Sequence, residues 1–239
     1  FFLLLTSFDM DYTETHKDTQ RAALLGVLND QKFTDTTFII GADKDEYNVN
    51  RLFLAMVSPV FEAMLFGQMR ESELNSEVII EDMEPKVFEC ILNFAYCNDP
   101  NMTQDNVLQL YQAADKYQIA TLLNWCDDYV RSALTEKNVC SFLQNAIQLN
   151  QRKIIEFCFE FMRLPQTRSL KVISCNAFKT LNMKTMREIL QNDVLSVDEE
   201  KLWTNVVSWA EFRSRSAQKA ITIPNQDEDS KYEDDAAPR

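Results

Sequence analysis

Every strand-like stretch of this chain lies before residue 81, and from Leu122 onward apolar residues recur only at helical spacing. That change of class divides the chain into a small mixed unit followed by an all-helical one, with a boundary near Thr135. The mixed unit opens with a short helix over Thr19 to Leu28, whose Ala22, Leu25 and Leu28 share one face. Thr36 to Ile40 is rich in β-branched residues and runs into Gly41, the pattern of a strand meeting a turn, and Glu46 to Val49 completes a hairpin. Val78 to Ile80 is a third strand, expected to be buried on both faces. Ser58 and Pro59 start a helix, the serine as cap and the proline preset for the first turn. Pro85 opens another, with Phe88, Ile91, Leu92 and Ala95 at helical spacing, and Thr103 is placed to cap the next, which carries Val107, Leu110, Tyr111, Ala114 and Tyr117.

In the second unit, Val139, Phe142, Leu143, Ala146 and Ile147 form an amphipathic face within a helix over Asn138 to Leu149, and a further helix spans Lys153 to Met162. Ser196 and Glu199 fit a capping box ahead of Leu202, Val206, Trp209 and Ala210. The expected organisation is therefore an α+β fold: a disordered segment over 1–18, the mixed domain over 19–135, a helical domain over 136–223 and an acidic disordered tail over 224–239. No internal repeat of 20 to 50 residues is visible.

Composition narrows the function classes. Only three glycines, Gly26, Gly41 and Gly67, leave no room for a glycine-rich phosphate loop. The formal charge is −13, of which the terminal run Asp227, Glu228, Asp229, Glu233, Asp234 and Asp235 against Lys231 carries −5, so nucleic acid is repelled. The six cysteines are dispersed with no Cys-x-x-Cys pair, and they read as buried thiols in a reducing compartment, cytoplasmic or nuclear. With His16 as the one histidine, no metal site and no cofactor are expected, and the inventory for acid–base or nucleophilic catalysis is missing. The apolar Phe1 to Leu5 is too short for a membrane span, and Asp9 and Asp11 argue against a signal peptide. Because the sequence does not begin with Met, a fragment or an imperfect gene model is expected.

The stretch Phe33 to Tyr117 resembles the BTB (POZ) family. The likeness rests on five pieces in order: Phe33, Asp35, Thr37, Phe38 and Ile40; then Leu54, Ala55, Ser58, Pro59, Phe61 and Met64; then Ile79, Pro85, Phe88 and Leu92; then Phe94, Ala95 and Tyr96; and finally Leu110, Tyr111, Ala113, Ala114, Asp115, Lys116 and Tyr117, with Leu122 and Cys126 after them. From Asn138 the chain resembles the BACK domain, through Asn138, Val139, Ala146, Leu149 and Cys158, and later Leu195, Glu199, Leu202, Trp203, Val206, Trp209 and Ala210. That later helix is most similar to BTB proteins with a C-terminal PHR domain, although no PHR or Kelch region follows, and the BACK pattern dissolves after Ile223.

The resemblance implies a non-catalytic, homodimeric adaptor that joins an unknown substrate protein to the cullin-3 N-terminal domain of a ubiquitin ligase, with no nucleic-acid or membrane partner. It implies a cullin-binding set of Phe66, Met69, Glu71 and Tyr96: Met69, Arg70 and Glu71 match the family's hydrophobic-x-Glu loop, with Met69 as apolar anchor and Glu71 orienting the loop. It also implies a dimer interface and polar pocket of Ala22, Leu25, Asp35 and Asn50. The histidine usual in the family is replaced here by Asn50, followed by Arg51, and Asn50 is expected to hydrogen-bond the Asp35 carboxylate without the pH sensitivity of a histidine. Two other BTB roles compete. A transcriptional regulator would need zinc fingers or a basic region, and a channel tetramerisation domain would need a membrane span.

Overall fold

The computed structural model describes residues 18–68, 77–163 and 166–221. The chain divides into two compact units, the first running to Leu134 and taking in Asn145–Phe157, the second formed by Thr135–Gln144 and the chain from Cys158 onward.

The first unit begins with helix α1 over 18–29, followed by a hairpin of β1 (Thr36–Ile40) and β2 (Asp45–Val49). Gly41 turns the chain between them at a φ of 73°, which glycine adopts without the strain of a side chain. β1 pairs antiparallel with β2 and parallel with β3 (Glu77–Ile80), giving the order β2-β1-β3. Phe38, Ile40, Val78 and Ile80 fill the covered face of this sheet. Ile79 does not share it. The strand alternates, so Ile79 points to the opposite face and stays 62% exposed, and β3 is buried on one face rather than two.

Helices α2 (Arg51–Val57) and α3 (Pro59–Phe66) meet at Ser58, which ends one and caps the other by accepting the Phe61 backbone N–H at 3.0 Å. The same hydroxyl donates to the Tyr117 carbonyl at 2.6 Å, and the Phe61 and Tyr117 rings stack at 4.4 Å. Phe88 of α4 (Pro85–Cys97) reaches Phe38 at 5.1 Å, so the sheet, α3, α4 and the end of α5 share one aromatic core. α5 (Val107–Lys116) and α6 (Ala120–Ala133) complete the bundle. Thr103 does not cap α5. It exchanges hydrogen bonds with Asn106 in the turn just before the helix, because the first helical residue comes four positions after it.

Helices α7 (Val139–Gln148) and α8 (Arg152–Arg163) pass from one unit to the other. The turn between them belongs to the first unit: Gln151 donates to the Leu108 carbonyl at 2.6 Å, Lys153 pairs with the buried Asp127, and Arg131 lies 3.6 Å over the Phe157 ring. In the second unit, α9 (Gln166–Ser174), α10 (Asn176–Lys179), α11 (Met183–Gln191) and α12 (Glu199–Ile221) surround a core of Val139, Leu143, Val172, Phe178, Met186 and Ile189. Trp209 fixes α12 by donating its indole N–H to the Leu181 carbonyl at 2.8 Å. The expected capping box at Ser196 and Glu199 does not form. Ser196 gives its hydroxyl to the Arg163 carbonyl at 2.8 Å and its N–H to Ser169, so tertiary bonding outcompetes the local cap.

Candidate functional site

The hairpin register fixes the site. Thr36 lies opposite Val49, so the next positions outward, Asp35 and Asn50, meet at the end of the sheet where α2 begins. Asp35 donates its backbone N–H to the Val49 carbonyl, which extends the ladder by one bond and holds its carboxylate against the first turn of the helix.

That carboxylate is satisfied by Arg51. One oxygen accepts the Arg51 backbone N–H at 2.9 Å, and the other lies 3.3 Å from its guanidinium. The expected Asn50-to-Asp35 hydrogen bond is not the arrangement found. As the cap of α2, Asn50 turns its carbonyl oxygen onto the Leu52 N–H, and its amide then points the other way and donates to the Phe33 carbonyl at 2.8 Å. Arg51 continues past Asp35, donating to the Leu65 carbonyl at 3.1 Å and lying 4.6 Å over the Phe66 ring. With 14% of its side chain exposed, Arg51 ties the hairpin end, α2 and the last turn of α3 into one network.

Tyr96 is placed inside that network rather than on the surface expected of it. It is 4% exposed, its ring stacks on Phe53 at 4.0 Å, and its hydroxyl accepts the Asn50 backbone N–H at 2.8 Å. Burial, with help from the nearby Asp35 charge, pushes its hydroxyl pKa up, so it stays a neutral phenol.

Around this polar centre the surface is apolar. Phe33 is 77% exposed, Leu52 54% and Met56 72%; the last two are one turn apart on α2, and Phe33 is held beside the start of that helix by Asn50. On α1, Ala22 is exposed and Leu25 half-buried. Phe66 is half exposed at the end of α3, followed by Gly67, where any side chain would collide with the Ala63 carbonyl. Met69 and Glu71 lie outside the described residues.

Comparison with known proteins gives this arrangement a family. The BTB/POZ domain matches residues 25–134, and the BACK domain, BTB And C-terminal Kelch, matches residues 139–223. The chain carries a BTB/POZ domain followed by a BACK domain. It is similar to human BTB/POZ domain-containing protein 3 (26% identical over 83% of this chain), to zebrafish BTB/POZ domain-containing protein 6-A (27% over 87%) and to zebrafish Kelch-like protein 40a (28% over 83%). It covers 38%, 37% and 32% of those proteins respectively, and so spans well under half the length of the curated relatives it matches. Among solved structures, the BTB domain of zebrafish PATZ1 aligns at 21% identity and a TM-score of 0.42, over 50% of this chain and 95% of its own.

A BTB–BACK pair is a protein-interaction module, and its surface is suited to docking. Among the described residues no group of three or more histidine, cysteine, aspartate or glutamate side chains is placed to hold a metal ion, and no helix is long and apolar enough to cross a membrane. Leu52 and Met56 are site residues that no sequence expectation named, and Arg51 was named only as the neighbour of Asn50, without its role as partner of Asp35. A signal was present, because every residue of α2 after Arg51 is apolar, more than one face of a helix can bury in its own core.

Proposed function

We propose that this chain is the dimer-forming and docking portion of a non-catalytic substrate adaptor for a cullin-3 ubiquitin ligase, acting in the cytoplasm. The observation that carries the reading is the exposed apolar group Phe33, Leu52 and Met56, in a chain whose BTB domain runs directly into a BACK domain. A second copy covering this end buries those side chains together with Ala22 and Leu25, and the Asp35–Arg51 pair, lying just behind, holds the surface in shape.

Docking of the cullin-3 N-terminal domain is assigned to the end of α3 and the loop after it. Phe66 presents an apolar ring stiffened by Arg51, Met69 supplies the anchor, and Glu71 orients the loop. Tyr96 acts from within, positioning Asn50 and with it the α2 end of the site. The substrate protein is recruited by a segment other than these two domains.

The test is capture of purified cullin-3 N-terminal domain by the chain, expected in the nanomolar to micromolar range, about −12 to −8 kcal/mol. Met69→Ala with Glu71→Ala should weaken capture roughly thirtyfold, the equivalent of about 2 kcal/mol. Equal capture by wild type and double variant removes the site assignment, and capture by neither removes the ligase role.

A further inference from the structure

Helix α11 of the second unit turns a mixed cationic and apolar face to solvent. Its residues divide by helical angle: Thr185, Met186 and Ile189 are buried against the core, while Met183, Lys184, Arg187, Leu190 and Gln191 share the opposite, exposed face. Met183 is 57% exposed and Leu190 43%, and Arg187 lies between them on successive turns. Among the described residues neither Lys184 nor Arg187 has an ion-pair partner. Glu188, the one acid of the helix, instead accepts a hydrogen bond from Asn192 at 3.3 Å. The result is a basic and apolar surface in a chain whose formal charge is −13.

We propose that this face is the docking site of the chain's own acidic segment, residues 227–235. That segment sets Asp227, Glu228, Asp229, Glu233, Asp234 and Asp235 against the single cation Lys231, and it includes Tyr232. Its carboxylates complement Lys184 and Arg187, and the Tyr232 ring gives Met183 and Leu190 an apolar partner. The other large exposed side chain of the unit does not suit it. Trp203, 70% exposed near the start of α12, follows Glu199 and Glu200, which would set like charges against the segment.

The fold brings segment and face within reach of one another. Trp209 donates its indole N–H to the Leu181 carbonyl at 2.8 Å, and Arg213 reaches the same oxygen at 3.4 Å. These residues of α12 therefore pass the start of α11, which begins at Met183. From Arg213 to Ile221, where α12 ends, the helix rises about 12 Å. The chain from Ile221 to Asp227 can span up to about 20 Å, which more than covers the return to Lys184 and Arg187. Each exposed ion pair contributes little by itself. A tether this short supplies an effective concentration on the order of millimolar, so a contact too weak to hold a separate peptide holds this one.

The test uses the full chain. A water-soluble carbodiimide, which joins a carboxylate directly to an amine, should link Lys184 to residues 227–235 at about 0.05 M salt. The link should be lost at about 1 M, where charges are screened within roughly 3 Å. Peptide mapping should find it in protein that runs at the single-chain mass of 27.8 kDa under denaturing conditions. A link found only at twice that mass would place the segment on a second copy. A link to other lysines alone, or none, would leave the face to a separate acidic partner, and each of these results overturns the proposal. A variant with Asp227→Asn, Glu228→Gln, Asp229→Asn, Glu233→Gln, Asp234→Asn and Asp235→Asn should bind a fluorescent peptide of residues 224–239 about tenfold more tightly than the wild type, whose own segment covers the face. Adding Lys184→Gln and Arg187→Gln, both at exposed positions, should abolish that binding. Equal binding by wild type and neutralised variant, or binding that survives the two glutamines, also overturns it. The linking experiment uses the unsubstituted chain, so a variant that misfolds does not mask it.

Discussion

The BTB unit and the helical unit each bring a cluster of polar side chains together, by different routes. Asp35, Asn50 and Arg51 meet because a hairpin of two five-residue strands puts them there, and the cluster is a closed network in which the charges are paired. In the helical unit, Ser169 and Ser196 meet only because separate segments pack: Ser196 gives its N–H to Ser169 and its hydroxyl to the Arg163 carbonyl. The first arrangement suits a scaffold, where a change of protonation would be harmful. The second carries no charge and depends on tertiary packing alone.

The contrast predicts a graded set of responses. Arg51→Ala should be the most damaging, because it strands the part-buried Asp35 and removes the bond to Leu65 and the contact with Phe66 at once. A loss of about 2 to 3 kcal/mol is expected in urea denaturation followed by intrinsic tryptophan fluorescence. A loss below about 0.5 kcal/mol would show the network to be ornamental. Tyr96→Phe should cost about 1 kcal/mol by leaving the Asn50 N–H without its acceptor, with the ring stack on Phe53 preserved. Ser169→Ala, in the other unit, should cost about 1 kcal/mol in the same measurement, by removing the hydroxyl that donates to the Met162 carbonyl and accepts the Ser196 N–H.

The smallest effect belongs to the surface. The hydrogen bond from Lys116 lowers the Asp82 pKa, so its contribution is present at neutral pH and is lost as pH falls through that depressed value, below the usual carboxylate range. Both side chains are about half exposed or more, so Asp82→Asn should change stability by only a few tenths of a kcal/mol, and acid titration of the two proteins should differ by no more.

How much of this was readable in advance follows the same division. The bounds of β1 and the Ser58 cap were legible, because alternation and capping act over a few residues, whereas a pocket of Asp35 and Asn50 was implied only by the family resemblance. The choice between Asn50 and Arg51 as partner of Asp35 was not, because Asn50 can satisfy the helix N-terminus or the carboxylate, and geometry decides. The depth of Tyr96, the outward turn of Ile79 and the diversion of Ser196 to Arg163 depend on what packs against them. The contact between Ser169 and Ser196 left no trace in sequence, since its members lie on segments whose adjacency no local pattern encodes.

The claim at the centre of this account is that the exposed end of the BTB unit is an interface between two copies. Sedimentation equilibrium of the chain at micromolar concentration tests it most directly, beside a Leu52→Asp, Met56→Asp variant, whose carboxylates replace solvent-exposed apolar side chains and so leave the single fold intact. The account predicts twice the 27.8 kDa chain mass for the wild type and the single-chain mass for the variant. A wild-type chain that sediments as a monomer, or a variant that remains fully dimeric, would contradict it.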